Sequence, residues 1–209
     1  MTTTTPRGKV FQIISSIGMP PLLLLLLAIG LTVPTASHAE KADANRPTNV
    51  EANHMDYDDL KQVNVFTGNV RLVRGTLIIK GEKMVITQDP AGYQHGVVYA
   101  PPGGKATFRQ KRDGGPNLWV EGEGQRIEYD NKTDIANFYT RAKLRRLEGT
   151  KITDEVEGEF VSYDARKEFF SVNNTASGKS KPGAGLIMVV IQPREDKKKT
   201  PAKSDKHAD

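Results

Sequence analysis

The chain has no cysteine, one tryptophan and four histidines among 209 residues. The first absence excludes disulfides, thiolate metal sites, cysteine nucleophiles and thiol redox chemistry together. The lone Trp119 is a poor supply for an exposed aromatic binding platform. Only His54 and His95 fall in the central stretch 47–193. Neither belongs to a His-x-His, His-Glu-x-x-His or carboxylate–His spacing that would hold a metal. There is no Gly-x-Ser-x-Gly elbow and no Ser/His/Asp constellation. Gly122-Glu-Gly124-Gln-Arg-Ile lacks the third glycine of a dinucleotide loop. Asp56-Tyr-Asp58-Asp59 lacks the glycine and distant glutamate of a Ca²⁺ loop, and reads as a polar hairpin turn. No catalytic residue, metal ligand or cofactor is expected.

What charge there is sits at the ends. The formal net charge is +5, which invites a nucleic-acid reading. Residues 1–39 carry Arg7 and Lys9 and no acid, and 194–209 carry six basic and four acidic residues. The body between them is close to neutral, so nucleic acid is not an expected partner. Arg7 and Lys9 lead to an apolar run from Leu22 to Val33 and then to Ser37-His38-Ala39. That is the layout of a cleavable export signal over 1–39, and the run is too short to span a bilayer. A linker is expected over 40–46, a folded domain over 47–193, and a solvated tail over 194–209. An exported chain without cysteine fits a bacterial envelope compartment, where disulfides are optional, and the resemblance given below implies the periplasm.

Within the body no apolar stripe of helical period persists. Apolar residues recur instead at i, i+2: Val70/Leu72, Leu77/Ile79, Met84/Ile86, Val97/Tyr99, Ala106/Phe108, Leu118/Val120, Ile127/Tyr129 and Ala142/Leu144. Period two places each pair on one face of a strand. Gly68-Asn69, Arg74-Gly75, Pro101-Pro102-Gly103-Gly104 and Asp130-Asn131 supply chain reversals. The fold class is therefore all-β, with roughly fifteen short antiparallel strands.

A weak repeat runs through it. Met55-Asp-Tyr57-Asp58, Ile127-Glu-Tyr129-Asp130 and Val161-Ser-Tyr163-Asp164 share one form, and Met55–Leu72 matches Ile127–Leu144 at an offset of 72. Each unit is a strand, an Asp-led turn and a return strand. Stacked hairpins of this kind leave an unpaired edge at each end. Two basic clusters, Arg141/Lys143/Arg145 and Lys105/Arg109/Lys111/Arg112, alternate with apolar residues or flank them. They read either as phosphate partners or as an outer face balanced by Glu121/Glu123 and Glu155/Glu157/Glu159.

Val65-Phe-Thr-Gly-Asn-Val-Arg-Leu72, followed by Gly75-Thr-Leu-Ile-Ile-Lys-Gly-Glu-Lys-Met-Val-Ile-Thr87, resembles the opening of the OstA/LptA family. Gly104-Lys-Ala-Thr-Phe108, Val120–Tyr129 and Gly158–Tyr163 extend the resemblance over nearly all of 47–193. It implies an open V-shaped β-jellyroll of about sixteen antiparallel strands and a non-enzymatic carrier of lipopolysaccharide. The lipid A acyl chains would lie between the sheets. The implied partners are an LptC-type inner-membrane protein, an LptD-type outer-membrane protein and further copies of the chain, head to tail. Thr48, Val50, Phe108 and Tyr129 fall at or near positions that face lipid in the family. Alternation adds Leu72, Ile79, Ile86, Val120, Ile127 and Leu144, for which core packing is the other reading. Edge pairing is expected through Thr48–Asn53, with Val50 and Ala52, and through Leu186–Ile191, with Leu186, Met188 and Val190. Gln88 and His95 stand where the family pattern has basic residues, which leaves its headgroup contacts only partly reproduced. The rival readings are a secreted β-sandwich that binds polysaccharide or scaffolds an envelope complex, and an envelope hydrolase.

Overall fold

The computed structural model describes Asp43 and residues 45–193; the expected export signal and tail lie outside the described residues. Twelve strands follow one another: β1 (Asn49–Glu51), β2 (His54–Asp58), β3 (Val63–Arg74), β4 (Leu77–Gln88), β5 (Gln94–Tyr99), β6 (Ala106–Lys111), β7 (Leu118–Gly124), β8 (Arg126–Asp130), β9 (Ile135–Glu148), β10 (Lys151–Asp164), β11 (Phe169–Asn173) and β12 (Met188–Ile191). All of their pairings are antiparallel.

Four strands are long enough to serve twice. The first half of β3 pairs with β2 and its second half with β1. β4 pairs first with β6, then with β5. β9 pairs first with β8, then with β7, and β10 first with β12, then with β11. The twelve strands thus contribute sixteen segments to two eight-segment sheets. The first sheet runs β1, β3, β4, β6, β7, β9, β10, β12, and the second β2, β3, β4, β5, β8, β9, β10, β11. This is an open β-jellyroll, and it accounts for the expected count of sixteen on only twelve strands.

The strands change sheet along one seam, where the backbone chemistry is specific. β3 crosses at Gly68 (φ 80°) and Asn69 (φ 50°), and β9 at Thr140 (φ 59°) and Arg141 (φ 52°). Paired left-handed residues turn a strand sharply without ending it. β4 crosses at Gly81, where a Cβ would lie 2.6 Å from the Tyr99 carbonyl oxygen, so only glycine fits. Within the described residues every passage between sheets lies at this seam. The opposite side, here the mouth, is bounded by the hairpin turns of each sheet separately.

The core lies between the sheets. Leu72, Ile79, Phe108, Val120 and Leu144 from the first sheet meet Ile86, Ile127, Tyr129, Phe138 and Tyr163 from the second, all buried. Phe108 packs edge-on against Phe138 with centroids 5.6 Å apart. Each such fully buried side chain stabilises the fold by about 1.5–3 kcal/mol. One expected pair points the other way. Val98 fills the interior from β5, while Tyr99 is exposed. An apolar residue stands at all three of 97–99, so alternation alone could not choose the face.

Candidate functional site

Register turns the core into ordered rows. Across the first sheet the paired residues are Val50, Leu72, Ile79, Phe108, Gly122, Leu144, Val156 and Val189. Across the second they are Met55, Phe66, Met84, Val98, Ile127, Phe138, Val161 and Val172. Each row crosses all eight segments with no polar side chain. A parallel row nearer the mouth of the second sheet includes Tyr57, Ile86, Tyr129, Tyr163 and Phe170. The interior is therefore an apolar track running from one end of the stack to the other.

Eight of the ten nominated groove residues, Leu72, Ile79, Ile86, Phe108, Val120, Ile127, Tyr129 and Leu144, sit in this interior, and Val50 packs against it. Thr48, just before β1, is half-buried and shares a cleft at the mouth with Leu72, Ile79, Ile86 and Tyr129. The cleft holds about 20 Å³, room for roughly one water. In this closed form the sheets pack against each other, so any larger occupant must part them.

The mouth itself is polar; of its charged residues the sequence reading names Arg112, within a basic cluster, but misses the inward Arg74 and Arg146. One step outward from the apolar row, β3 ends at Arg74, Gln110 pairs with Val120, and Val120 pairs with Arg146. Arg74 is buried and donates to the Tyr129 hydroxyl at 2.5 Å. That hydroxyl donates in turn to Asp134 Oδ1 at 3.0 Å. Burial pushes the Tyr129 phenol far above its usual range, so it remains a donor. Arg166 closes the chain on Asp134 Oδ2 at 2.8 Å. Further along, Arg112 donates to Glu168 Oε2 at 2.5 Å, and Arg146 donates to the Glu168 carbonyl. Asp134 (φ 54°) and Glu168 (φ 49°) hold equivalent left-handed positions, each four residues beyond a turn-leading Asp. The signal that could have found these arginines is their inward parity, but a charge at an inward position reads as a break in the pattern.

Arg112 apart, the basic clusters lie on the other face. Arg109 meets Glu121 at 2.5 Å, Lys105 meets Glu123 at 2.7 Å and Arg145 meets Glu155 at 2.7 Å. Lys143 bridges Glu155 and Glu157. The hydrogen bond that Lys143 donates to Glu157 raises the Lys143 pKa. Burial opposes ionisation of Glu155, but Arg145 and Lys143 hold its carboxyl below the usual range. The two alternating sets are thus cross-strand partners on an outer face, as the balanced reading expected. Trp119 lies on that face beneath the Arg109 guanidinium, 4.4 Å from its ring centre. Among the described residues no group of His, Asp or Glu is arranged to hold a metal.

The ends need correction in detail. The first edge is β1 together with β2, and Ala52 lies between them rather than on a strand. The last strand is Met188–Ile191, paired with β10, so Leu186 precedes it as an exposed residue. β11 shares that end. Val50, Met188 and Val190 lie on edge strands as expected. Inward positions at both ends are open to solvent: Met55 and Tyr57 are 49% and 51% exposed, and Val189 and Ile191 are 49% and 75% exposed.

The family model described as "LptA/(LptD N-terminal domain) LPS transport protein" matches residues 49–169. The lipopolysaccharide export system protein LptA of Haemophilus influenzae is 28% identical over 174 residues, covering 83% of this chain and 96% of that protein. Its Escherichia coli counterpart is 27% identical over 179 residues, covering 86% and 91%. The crystal structure of LptH, the LptA homologous periplasmic component of the lipopolysaccharide transport device of Pseudomonas aeruginosa, superposes with a TM-score of 0.63. It shares 23% identity and covers 73% of this chain and 99% of that one.

Proposed function

The chain belongs to the LptA/LptD N-terminal-domain family of lipopolysaccharide transport proteins, and on that premise we propose that it carries lipopolysaccharide across the periplasm. The observation that supports this reading most directly is the pair of unbroken apolar rows, open at both ends of the stack. A saturated acyl chain of about a dozen carbons laid along them gains roughly 10 kcal/mol gross, at about 0.8 kcal/mol per CH₂, before the sheets are parted and the chain ordered. Neighbouring rungs are chemically alike, so movement along the track is nearly thermoneutral. Direction is supplied by whatever loads and unloads the ends.

Edges left unpaired among the described residues make the ends themselves docking surfaces. β1 with β2 at one end, and β11 with β12 at the other, offer main-chain groups for β-augmentation. Head-to-tail contact between copies would join the apolar rows into one track, with an LptC-type and an LptD-type jellyroll at its two limits. Residues 1–39 would direct export and be removed. A polysaccharide-binding surface has less support, because Trp119 is capped by Arg109.

A photo-crosslinking amino acid at Val50 or Phe108 should capture lipopolysaccharide in envelopes, whereas one at Lys143, on the outer charge ladder, should not. Equal labelling at all three positions would sink the assignment of the interior as the lipid path.

A further inference from the structure

We propose that Arg74, Arg112 and Arg146 form a seat for a phosphate group on the carried lipid, and that Asp134, Tyr129 and Glu168 hold that seat shut when it is empty. The inference rests on the carrier reading above and names the headgroup chemistry that the track selects.

Three observations carry it. First, the donors and acceptors are sorted by sheet. Arg74, Arg112 and Arg146 all belong to the first sheet's lip, and Tyr129, Asp134 and Glu168 to the second's. These contacts bridge the mouth where the described chain makes no crossing of its own. Second, the interior is amphipathic in the same sense as a phosphorylated lipid. The apolar rows lie toward the seam, and Arg74, Gln110 and Arg146 face inward one step nearer the mouth. Third, the arginines are not fully used. Arg74, Arg112 and Arg146 each keep a buried Nε–H with no hydrogen-bond partner. Arg74, at 5% exposure, also lines the mouth cleft. Buried donors of this kind are rare and costly unless a partner arrives.

The consequence follows from the geometry. Parting the sheets to admit acyl chains pulls the guanidinium groups away from Asp134 and Glu168. A neutral lipid would leave the Arg74 and Arg112 guanidinium groups without their carboxylates and Arg146 without the Glu168 carbonyl. A phosphomonoester replaces the lost carboxylates, and its oxygens match the fork of an arginine. The mouth thus exchanges an internal anion for one on the lipid.

The absence of cysteine gives a clean background for the test. Nitroxide labels at Asn117→Cys and Lys167→Cys, both exposed and on opposite lips, report the width of the mouth by double electron–electron resonance. The full chain is titrated with bisphosphorylated lipid A, its phosphate-free form, and inorganic phosphate alone. The bisphosphorylated lipid should widen the label distance and bind about tenfold or more tighter than the phosphate-free lipid. Arg74→Gln and Arg112→Gln should erase that preference while still binding the phosphate-free lipid, and Arg112→Lys should restore part of it. Should Arg74→Gln fail to fold, Arg112→Gln decides alone. Glu168→Gln should tighten the phosphate-free lipid by loosening the closed state. Variants that keep the wild-type preference would overturn the phosphate seat and leave the carrier reading intact. Full opening by inorganic phosphate alone would overturn the lipid as the source of the anion. A folded wild type that binds neither lipid would overturn the carrier reading, and this inference with it.

Discussion

Gly122 shows how one residue sets the spacing of the two sheets. It is the only position in the first sheet's apolar row without a side chain. A Cβ there would lie 2.3 Å from the Phe138 ring, which reaches across from the opposite sheet and meets Phe108 edge-on. Gly122→Ala should therefore destabilise the protein by about 1–3 kcal/mol through overpacking, and lower the melting temperature measured by circular dichroism. Adding Phe138→Leu should recover much of the loss, since the ring that collides would be gone. An unchanged melting temperature in Gly122→Ala would show that the sheets separate more easily than the packing implies. The sequence offered Gly122-Glu-Gly124 as a failed dinucleotide motif and as part of the family resemblance, with no physical reason for the glycine. The reason for the glycine lies in a residue on the far sheet, which no local pattern displays. Arg74 and Arg146 were hidden at the mouth for a related reason. Arg145 and Arg146 are adjacent in the chain, yet one faces Glu155 outside and the other the interior.

At the scale of elements, the repeat visible in the sequence is a repeat of backbone. An offset of 72 lays β2 and β3 on β8 and β9, and it also lays Gly68-Asn69 on Thr140-Arg141, the two left-handed seam crossings. It lays Gln62 on Asp134, both with positive φ. The sheet change at Thr140-Arg141 carries no glycine, so composition gives no hint of it; only the repeat does. The Asp that leads each turn explains why the motif recurs. Asp58 accepts from the Lys61 N–H, Asp130 from the N–H groups of Lys132 and Thr133, and Asp164 from that of Lys167. The contacts from Lys61 hold the Asp58 carboxyl below the usual range. Burial opposes ionisation at Asp130 and Asp164, yet the hydrogen bonds from Thr133 and from Lys167 still lower both. A carboxyl whose folded pKa is depressed adds stability that is complete above its unfolded pKa, about 4, and is lost as pH falls through the folded value. The urea midpoint should accordingly drop between pH 7 and pH 3. An Asp130→Asn, Asp164→Asn double variant should show a shallower drop, and an identical pH profile would remove these turns as its source. The i, i+2 pairs placed most segments on the correct face, because one buried face enforces register. They could not show that four strands each serve two sheets.

At the scale of the whole molecule, the described residues leave apolar inward positions uncovered at both ends of the stack. The inward row of the second sheet closes over Tyr129 and Tyr163, which are buried, but leaves Tyr57, their counterpart in the repeat, half exposed on β2. At the other end Val189 and Ile191 stand exposed opposite Val156 and Asp154. A repeat that buries its tyrosine in two units and exposes it in the terminal one is short of a neighbour among the described residues, and a second copy is the neighbour proposed above. The two ends differ, so a contact between them would be heterologous and would not close on itself. This dictates a specific mixing result. Met55→Asp with Tyr57→Asp places charges on the inward face of the first edge, and Val189→Asp with Ile191→Asp does so at the last. On the proposed head-to-tail contact the wild type should grow with concentration by light scattering, and each variant alone should remain a monomer. Mixed in equal amounts, they should form a dimer and nothing longer, because one intact first edge meets one intact last edge and both outer ends are blocked. Growth beyond the dimer would mean that the chains associate through some other surface. A mixture that stays monomeric would mean that the two edges do not recognise each other, and that the apolar track ends within a single molecule.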